Sequence, residues 1–290
     1  MINMICHMAK NYGRVVDIFT SDILHIEECN GIPYMKFKIF DDMPWLHTAI
    51  STRHGGVSQG GCAGLNLGTS TVDSMDNVVR NYEIFCNAAG FDINRIVLAK
   101  QTHSANVMVA DESHAGCGVL RERHYDNVDA LVTSLPNLPL VIHTADCVPV
   151  AFADGANHVI GNAHCGWRGT FAQLAKVTLD KMHDLYGTKP CDVKVAIGPC
   201  ICVDCYEVSE ELYRDFLQKF AYDKYIICNH GKYYLNLPMI NRQILIDCGV
   251  PLCNIAVADV CSCCNSDDLF SHRGIGPERG ILGSFVCIKE

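Results

Sequence analysis

No apolar run in this sequence approaches the roughly 18 to 20 residues needed to cross a bilayer. The richest stretch, Val128 to Val150, is broken by Pro136, Pro139, His143 and Asp146, so the expectation is a protein with no membrane partner. Charge is scarce as well: Asp, Glu, Lys and Arg make up 19% of the 290 residues, and 23 basic against 32 acidic side chains leave a net charge of −9. A chain this short of cations has no broad surface for neutralising nucleic-acid phosphates. Low-complexity tracts, fixed-period repeats and long Pro/Ser-rich linkers are missing, so nothing marks a domain boundary and a single domain over 1–290 is expected. The segment MINMICHMAKNYGR has no basic-then-apolar leader ending at a small-residue cleavage site, and the expected location is the cytoplasm.

Apolar residues, by contrast, reach 49%, enough to build a core and to exclude a disordered chain. There are also 18 cysteines. At about 6% of the chain they fall below the share typical of small disulfide scaffolds. The richest clusters are Cys200, Cys202, Cys205 and then Cys261, Cys263, Cys264, whose spacing is expected not to make the paired C-x-x-C of a zinc ribbon. The expectation for them is reduced thiols acting as small buried apolar side chains.

Periodicity supplies the elements. Met35, Phe37 and Ile39 alternate with Lys36 and Lys38, predicting a strand with one buried face. Val78, Tyr82, Phe85 and Ala89 recur at helical spacing between Ser74 as N-cap and Gly90 as stop. Short β-branched runs at 96–98 and 107–109 flank KQTHSAN, and four apolar runs at 129–133, 138–142, 148–152 and 159–163 read as one sheet. One helix is expected from Phe171 through Leu174, Ala175, Thr178, Met182 and Leu185, ending at Gly187. A strand at 193–197, helices at 209–220 and 238–248, and strands at 255–260 and 281–288 complete the reading. Strands and helices mix without strict alternation, so the fold class is α/β (mixed α+β), a mixed sheet flanked by helices.

Three groups of residues carry chemistry. His103, Cys147 and His164 each sit at the edge of a strand candidate, and one thiolate with two imidazoles is a zinc or copper donor set that leaves a fourth position open. Cys147 also fits a thiol nucleophile activated by His103 or His164, and its neighbour Asp146 fits an acid, a base or a carboxylate that orients a ligand histidine. In AHCGWRGT a strand runs into a helix expected to begin near Gly169 or Thr170, where Arg168 and free backbone N–H groups suit an anion. In STRHGGVSQGGCAGLNLG, Arg53 precedes a glycine-dense loop that matches neither a P-loop nor a dinucleotide fingerprint.

Taken in order, STRHGGVS with LNLG, KQTHSANV, DALVTS, TADCVPV, AHCGWRGT, IGPCI with CYEV, and a terminal SHR tail resemble the bacterial laccase-domain family, once called polyphenol oxidases and regarded as purine nucleoside phosphorylases with adenosine deaminase activity. The likeness runs from about Trp45 to Val286. It implies one α/β domain and zinc held by His103, Cys147 and His164, with copper as the alternative metal. It also implies phosphorolysis of adenosine, inosine, guanosine and S-methyl-5'-thioadenosine, and hydrolysis of adenosine to inosine. Under that resemblance Asp146, Cys147 and His103 are the expected catalytic groups; Arg53, Asn66, Arg168 and Gly169 are expected to bind purine nucleoside or phosphate. The tail SHRGIGPERG departs from the family's aromatic and paired arginines. A copper polyphenol oxidase, a cysteine hydrolase and a thiol-rich metal-binding protein are the other readings.

Overall fold

A computed structural model describes residues 18–290, so the expectation drawn from the first fourteen residues lies outside the described residues. In chain order, β1 (Leu24–Cys29), β2 (Ile32–Phe37) and β3 (Leu46–Ser51) precede helix α1 (Met75–Ala89) and the short strands β4 (Val97–Leu98) and β5 (Val107–Val109). Next come β6 (Ala130–Thr133), β7 (Leu140–Thr144), β8 (Val148–Asp154) and β9 (Val159–Cys165), followed by helices α2 (Trp167–Phe171) and α3 (Leu174–Tyr186). Strands β10 (Val193–Ile197) and β11 (Glu207–Val208) lead to α4 (Glu210–Lys219), then to β12 (Ile226–Asn229), β13 (Lys232–Leu235) and α5 (Leu237–Asp247). The chain continues through β14 (Ile255–Val257), α6 (His272–Ile275) and β15 (Leu282–Ile288).

The mixed α/β class is as expected, but the single sheet becomes several. One six-stranded sheet has the order β1-β2-β3-β15-β7-β4, a second has β14-β10-β8-β9-β6-β5, and β11-β13-β12 form a small third. The four central runs read as one sheet are therefore divided, β7 lying in the first and β6, β8 and β9 in the second. The two large sheets pack face to face: Met35, Leu140, Ile142 and Val286 of the first share a core with Leu131, Ala151, Ala153 and Ile160 of the second. On the outer face of the first sheet, Tyr34, Val141 and Phe285 pack against Val78, Tyr82 and Phe85 of α1. On the outer face of the second, Val148, Val150 and Phe152 pack against Leu174 and Met182 of α3 and Ile240 and Ile244 of α5. The order is helix, sheet, sheet, helix, and it explains why every residue of β8 and β9 is buried. It also corrects the expectation for β2, whose two faces both meet apolar layers; Ile39 falls in the turn beyond it.

Local signals set most of the boundaries. Ser74 accepts from the Asn77 N–H at 3.2 Å and Gly90 closes α1 in the left-handed region. The helix expected from Phe171 to Leu185 is two helices, because Gln173 adopts φ 58° and breaks the ladder between α2 and α3; Leu185, expected on the buried face, is half exposed.

Two histidines of this framework, His47 buried and His143 half-buried, are held neutral. Burial pushes His47 down to about 4 although its ring contacts the Ala89 carbonyl at 2.7 Å, and burial pushes His143, paired with the Tyr82 hydroxyl, down to about 3. Below pH 6.5 the unfolded chain takes up protons that the folded chain refuses, so this stability is complete above pH 6.5 and is lost as the pH falls toward 4. Urea unfolding between pH 7 and 5 is expected to show stability dropping by up to about 1.4 kcal/mol per pH unit per histidine. His47→Gln should give a shallower fall; an unchanged pH profile would remove His47 from this account.

Candidate metal centre

The site is assembled by one carboxylate. Asp129, fully buried immediately before β6, accepts from the backbone N–H groups of Thr102, His103 and Ser104 at 3.0, 3.1 and 2.7 Å and from the Ser104 hydroxyl at 2.8 Å. These bonds gather the KQTHSAN loop into a tight turn in which His103 takes the left-handed conformation, φ 63°. Asp129 Oδ1 also lies 2.9 Å from Nδ1 of His164, near the end of β9. That contact fixes the ring and directs Nε2 to the site. Gln101 holds the loop's other end, its side-chain amide pairing with both backbone groups of His143 at 2.7 and 2.8 Å.

Cys147 enters from the turn before β8. Asp146, at φ 89°, precedes it and its carboxylate accepts from the hydroxyls of Ser262 and Ser271 at 2.6 Å and from the Arg273 N–H at 2.7 Å, while its carbonyl accepts from the Ile201 N–H at 2.9 Å. Gly166 closes the third side. A Cβ there would lie 2.9 Å from Cys147 Sγ and 3.1 Å from His103 Cδ2, so only glycine lets the backbone pass this close.

One ligand atom from each of His103, Cys147 and His164 lies within 4.8 Å of the others, with His164 buried, Cys147 half-buried and His103 exposed. Burial alone raises the Cys147 thiol; the His164 imidazolium beside it, with hydrogen bonds from His103 and His164, outweighs this and brings it to about 6. Burial works against protonated His164, yet the Cys147 thiolate and the Asp129 carboxylate raise it to about 9. Asp129 is drawn down to about 2 by His164 and the N–H groups it accepts, against its own burial. A thiolate and two convergent imidazoles, one braced by a carboxylate and the set exposed on the His103 side, fit a borderline-soft divalent metal with an open position. The same triad fits a thiolate nucleophile with a histidine partner.

The other expected site residues divide. Arg168 is exposed, its guanidinium 4.1 Å from the centre of the Trp167 ring, and that guanidinium makes no hydrogen bond or ion pair among the described residues. Gly169 is corrected: α2 begins at Trp167 with Gly166 as N-cap, leaving Gly169 buried inside the helix against the His164 carbonyl. Arg53 directs Nη1 and Nη2 at the carbonyls of Ser266 and Ala63, 2.6 and 3.3 Å away, and lies over Phe270. Its fork ties the glycine loop to the 262–270 segment. Asn66 is fully buried, donating to Thr71 and Asp73 and accepting from Gly68 and Ile281, so it shapes the loop. Asp146, weighed as the carboxylate that orients a ligand histidine, does not reach one; Asp129 does.

Asp129, Gly166, Tyr206 and Arg273 escape the sequence reading. Tyr206 lies within electrostatic reach of Cys147, Asp146, Arg168 and Arg273, and burial with the Cys147 charge raises its hydroxyl to about 12. Arg273 stacks over its ring at 5.6 Å and donates to the carbonyls of Cys205 and Glu207. The acid opening DALVTS was the available signal for Asp129. Tyr206 and Arg273 are joined to the site only by tertiary folding. The cysteines are corrected too: Cys202–Cys205 and Cys261–Cys264 are each C-x-x-C, obscured by the interleaved Cys200 and Cys263, and the four converge in space.

Comparisons with known proteins identify the family and the fold. The family model described as multi-copper polyphenol oxidoreductase laccase matches residues 47–289. A protein of Bacteroides thetaiotaomicron named purine nucleoside phosphorylase is 34% identical over 246 residues, covering 83% of this chain and 91% of that one. Adenosine deaminase RL5, from an unknown prokaryotic organism, is 33% identical over 80% of this chain and 90% of its own. The crystal structure of the Bacillus licheniformis hypothetical protein YfiH superposes with a TM-score of 0.86 at 28% identity, covering 93% of this chain and all of that one. The resemblance read from the ordered motifs is borne out, and the chain belongs to the multi-copper polyphenol oxidoreductase laccase family.

Proposed function

We propose that this protein is a zinc-dependent purine nucleoside phosphorylase, acting on adenosine, inosine, guanosine and S-methyl-5'-thioadenosine, with adenosine deaminase activity at the same centre. The observation that carries the reading is the convergence of His103, Cys147 and His164 within 4.8 Å, in a chain whose relatives bear the names purine nucleoside phosphorylase and adenosine deaminase. His103, Cys147 and His164 would hold the zinc, which would supply Lewis acidity when bound. The protein's own groups do the rest. Asp129 fixes His164 and the His103 loop, and Asp146, with its carboxylate committed to Ser262, Ser271 and Arg273, fixes the Cys147 turn rather than exchanging protons. Arg168, an uncommitted guanidinium directly after the Gly166–Trp167 turn, binds phosphate. All seventeen described cysteines are free thiols, which suits work in the reducing cytoplasm.

Chromatography of adenosine incubated with zinc-loaded protein tests the proposal. Adenine is expected only when phosphate is present, and inosine without it; absence of both products would overturn the reading. Arg168→Ala is expected to raise the KM for phosphate at least about tenfold, the worth of one charge-assisted contact, while inosine formation stays near its original rate. Equal loss of both activities would place Arg168 elsewhere in the work of the site.

The thiolate character of Cys147 beside His103, at 4.0 Å, favours a cysteine hydrolase as the second reading. A chelator separates the two, because metal removal silences the phosphorylase and leaves a thiol nucleophile working. For a copper oxidase, the only other metal-capable group among the described residues is made of thiols alone, so the further imidazoles of a multi-copper centre are not assembled there.

A further inference from the structure

The second convergence of donor atoms lies in the loops that brace the first. Cys202 and Cys205 follow β10 on a short turn, and Cys261 and Cys264 follow β14. A bridge between Cys200 and Cys261 aligns the two segments, and all four Sγ atoms then fall within 4.8 Å of one another. Cys205 and Cys264 are 3.4 Å apart at sulfur, well beyond the roughly 2.05 Å of a disulfide and close to the about 3.8 Å edge of a tetrahedron with 2.3 Å zinc–sulfur bonds. The backbone N–H groups of Cys202 and Cys264 point at Cys261 Sγ at 3.2 and 3.4 Å, donors that stabilise a thiolate. Two C-x-x-C pairs brought together from distant parts of the chain match a closed structural site, and four soft sulfurs select a thiophilic ion over hard cations.

We propose that Cys202, Cys205, Cys261 and Cys264 bind one zinc ion in a closed tetrathiolate site that locks together the two loops holding Asp146. The linkage is direct: Ile201 N–H and the Ser262 hydroxyl bond to Asp146, and Arg273 donates both its N–H to Asp146 and its guanidinium to the Cys205 carbonyl. The ion therefore acts as a staple behind the Cys147 turn. It has no open position and takes no part in turnover, and the inference does not depend on what the first centre catalyses.

Metal content of the full chain, purified under reducing conditions with zinc as the only added metal, tests it. The expected result is two zinc ions per chain in the parent, one in His164→Ala, one in Cys205→Ser/Cys264→Ser, and none in the combined variant. Cobalt added to apo His164→Ala should give the intense thiolate-to-cobalt charge-transfer and tetrahedral d–d bands of a four-sulfur site. Native mass spectrometry of the parent and of His164→Ala reads the same count in chains with an intact cysteine cluster, should the serine variant fail to fold. A metal-free His164→Ala chain, four freely reacting thiols in the native parent, a Cys205–Cys264 disulfide, or one iron in place of zinc would each overturn the proposal.

Discussion

His164→Ala is expected to lose the metal of the His103 centre and with it both phosphorolysis and deamination of adenosine, each falling by at least about a thousandfold. That figure is the rate equivalent of the several kcal/mol that metal-ion catalysis supplies. Two ligands are left after the change, too few to hold zinc against competing buffer. The variant also strips Asp129 of its imidazole partner, costing about 1 to 3 kcal/mol of stability for a buried acceptor left short of a donor. Product chromatography with metal analysis on the same preparation checks both parts. Retention of either activity in metal-free protein would sink the metal reading, and Cys147→Ser would then decide whether a thiol does the work.

Asp129→Ala should have the largest effect on stability. Five donors converge on this one buried carboxylate, four from residues 102–104 and one from His164, and its removal leaves a charged imidazole and several N–H groups buried without a partner. The expected loss is about 3 to 5 kcal/mol by urea unfolding, as for one half of a buried ion pair. Asp129→Asn keeps the shape and some of the acceptance, so a smaller loss of stability is expected, with metal affinity down about 10- to 100-fold, as for other carboxylates that brace a ligand histidine. The pH dependence has the same sign as that of His47, since both groups are held below their ordinary values, but it falls in a lower pH window. Asp129 is depressed from 3.8 to about 2, so its contribution is present above pH 3.8 and disappears as the pH falls through about 2. Parent-like stability in the alanine variant would show that the His103 loop closes without it.

Much of the framework is legible from residue patterns alone. Ser74 and Gly90 bracket α1, Pro238 stands at the start of α5, and the runs at 107–109 and 193–197 are strands with those same limits. What hides is whatever distant neighbours decide. The division of the central strands between two sheets follows from the insertion of β15 between β3 and β7, which no local pattern announces. Strands β11 to β13 carry polar and aromatic side chains on a small exposed sheet, too weak a period to read. At the site, His103, Cys147 and His164 are visible as residue types, yet Asp129 acts on segments 25 to 35 residues away, and its role exists only once β6 and β9 lie side by side. Arg53 and Asn66 show why loop polarity is hard to read in advance: polarity beside glycine signals a loop, and here the loop's own groups take up that polarity.

The place of β15 has a consequence for synthesis. Ser51 ends β3 and Leu282 begins β15, yet β3 and β7 both need β15 as their neighbour. A nascent chain that has exposed everything up to Gly280 therefore carries two unpaired strand edges and an open apolar layer, a state prone to joining other chains. Translation must pass Ile288 before the first sheet can close, so assembly waits on the ribosome, and a stop codon a few residues before Leu282 should yield aggregates rather than a trimmed enzyme.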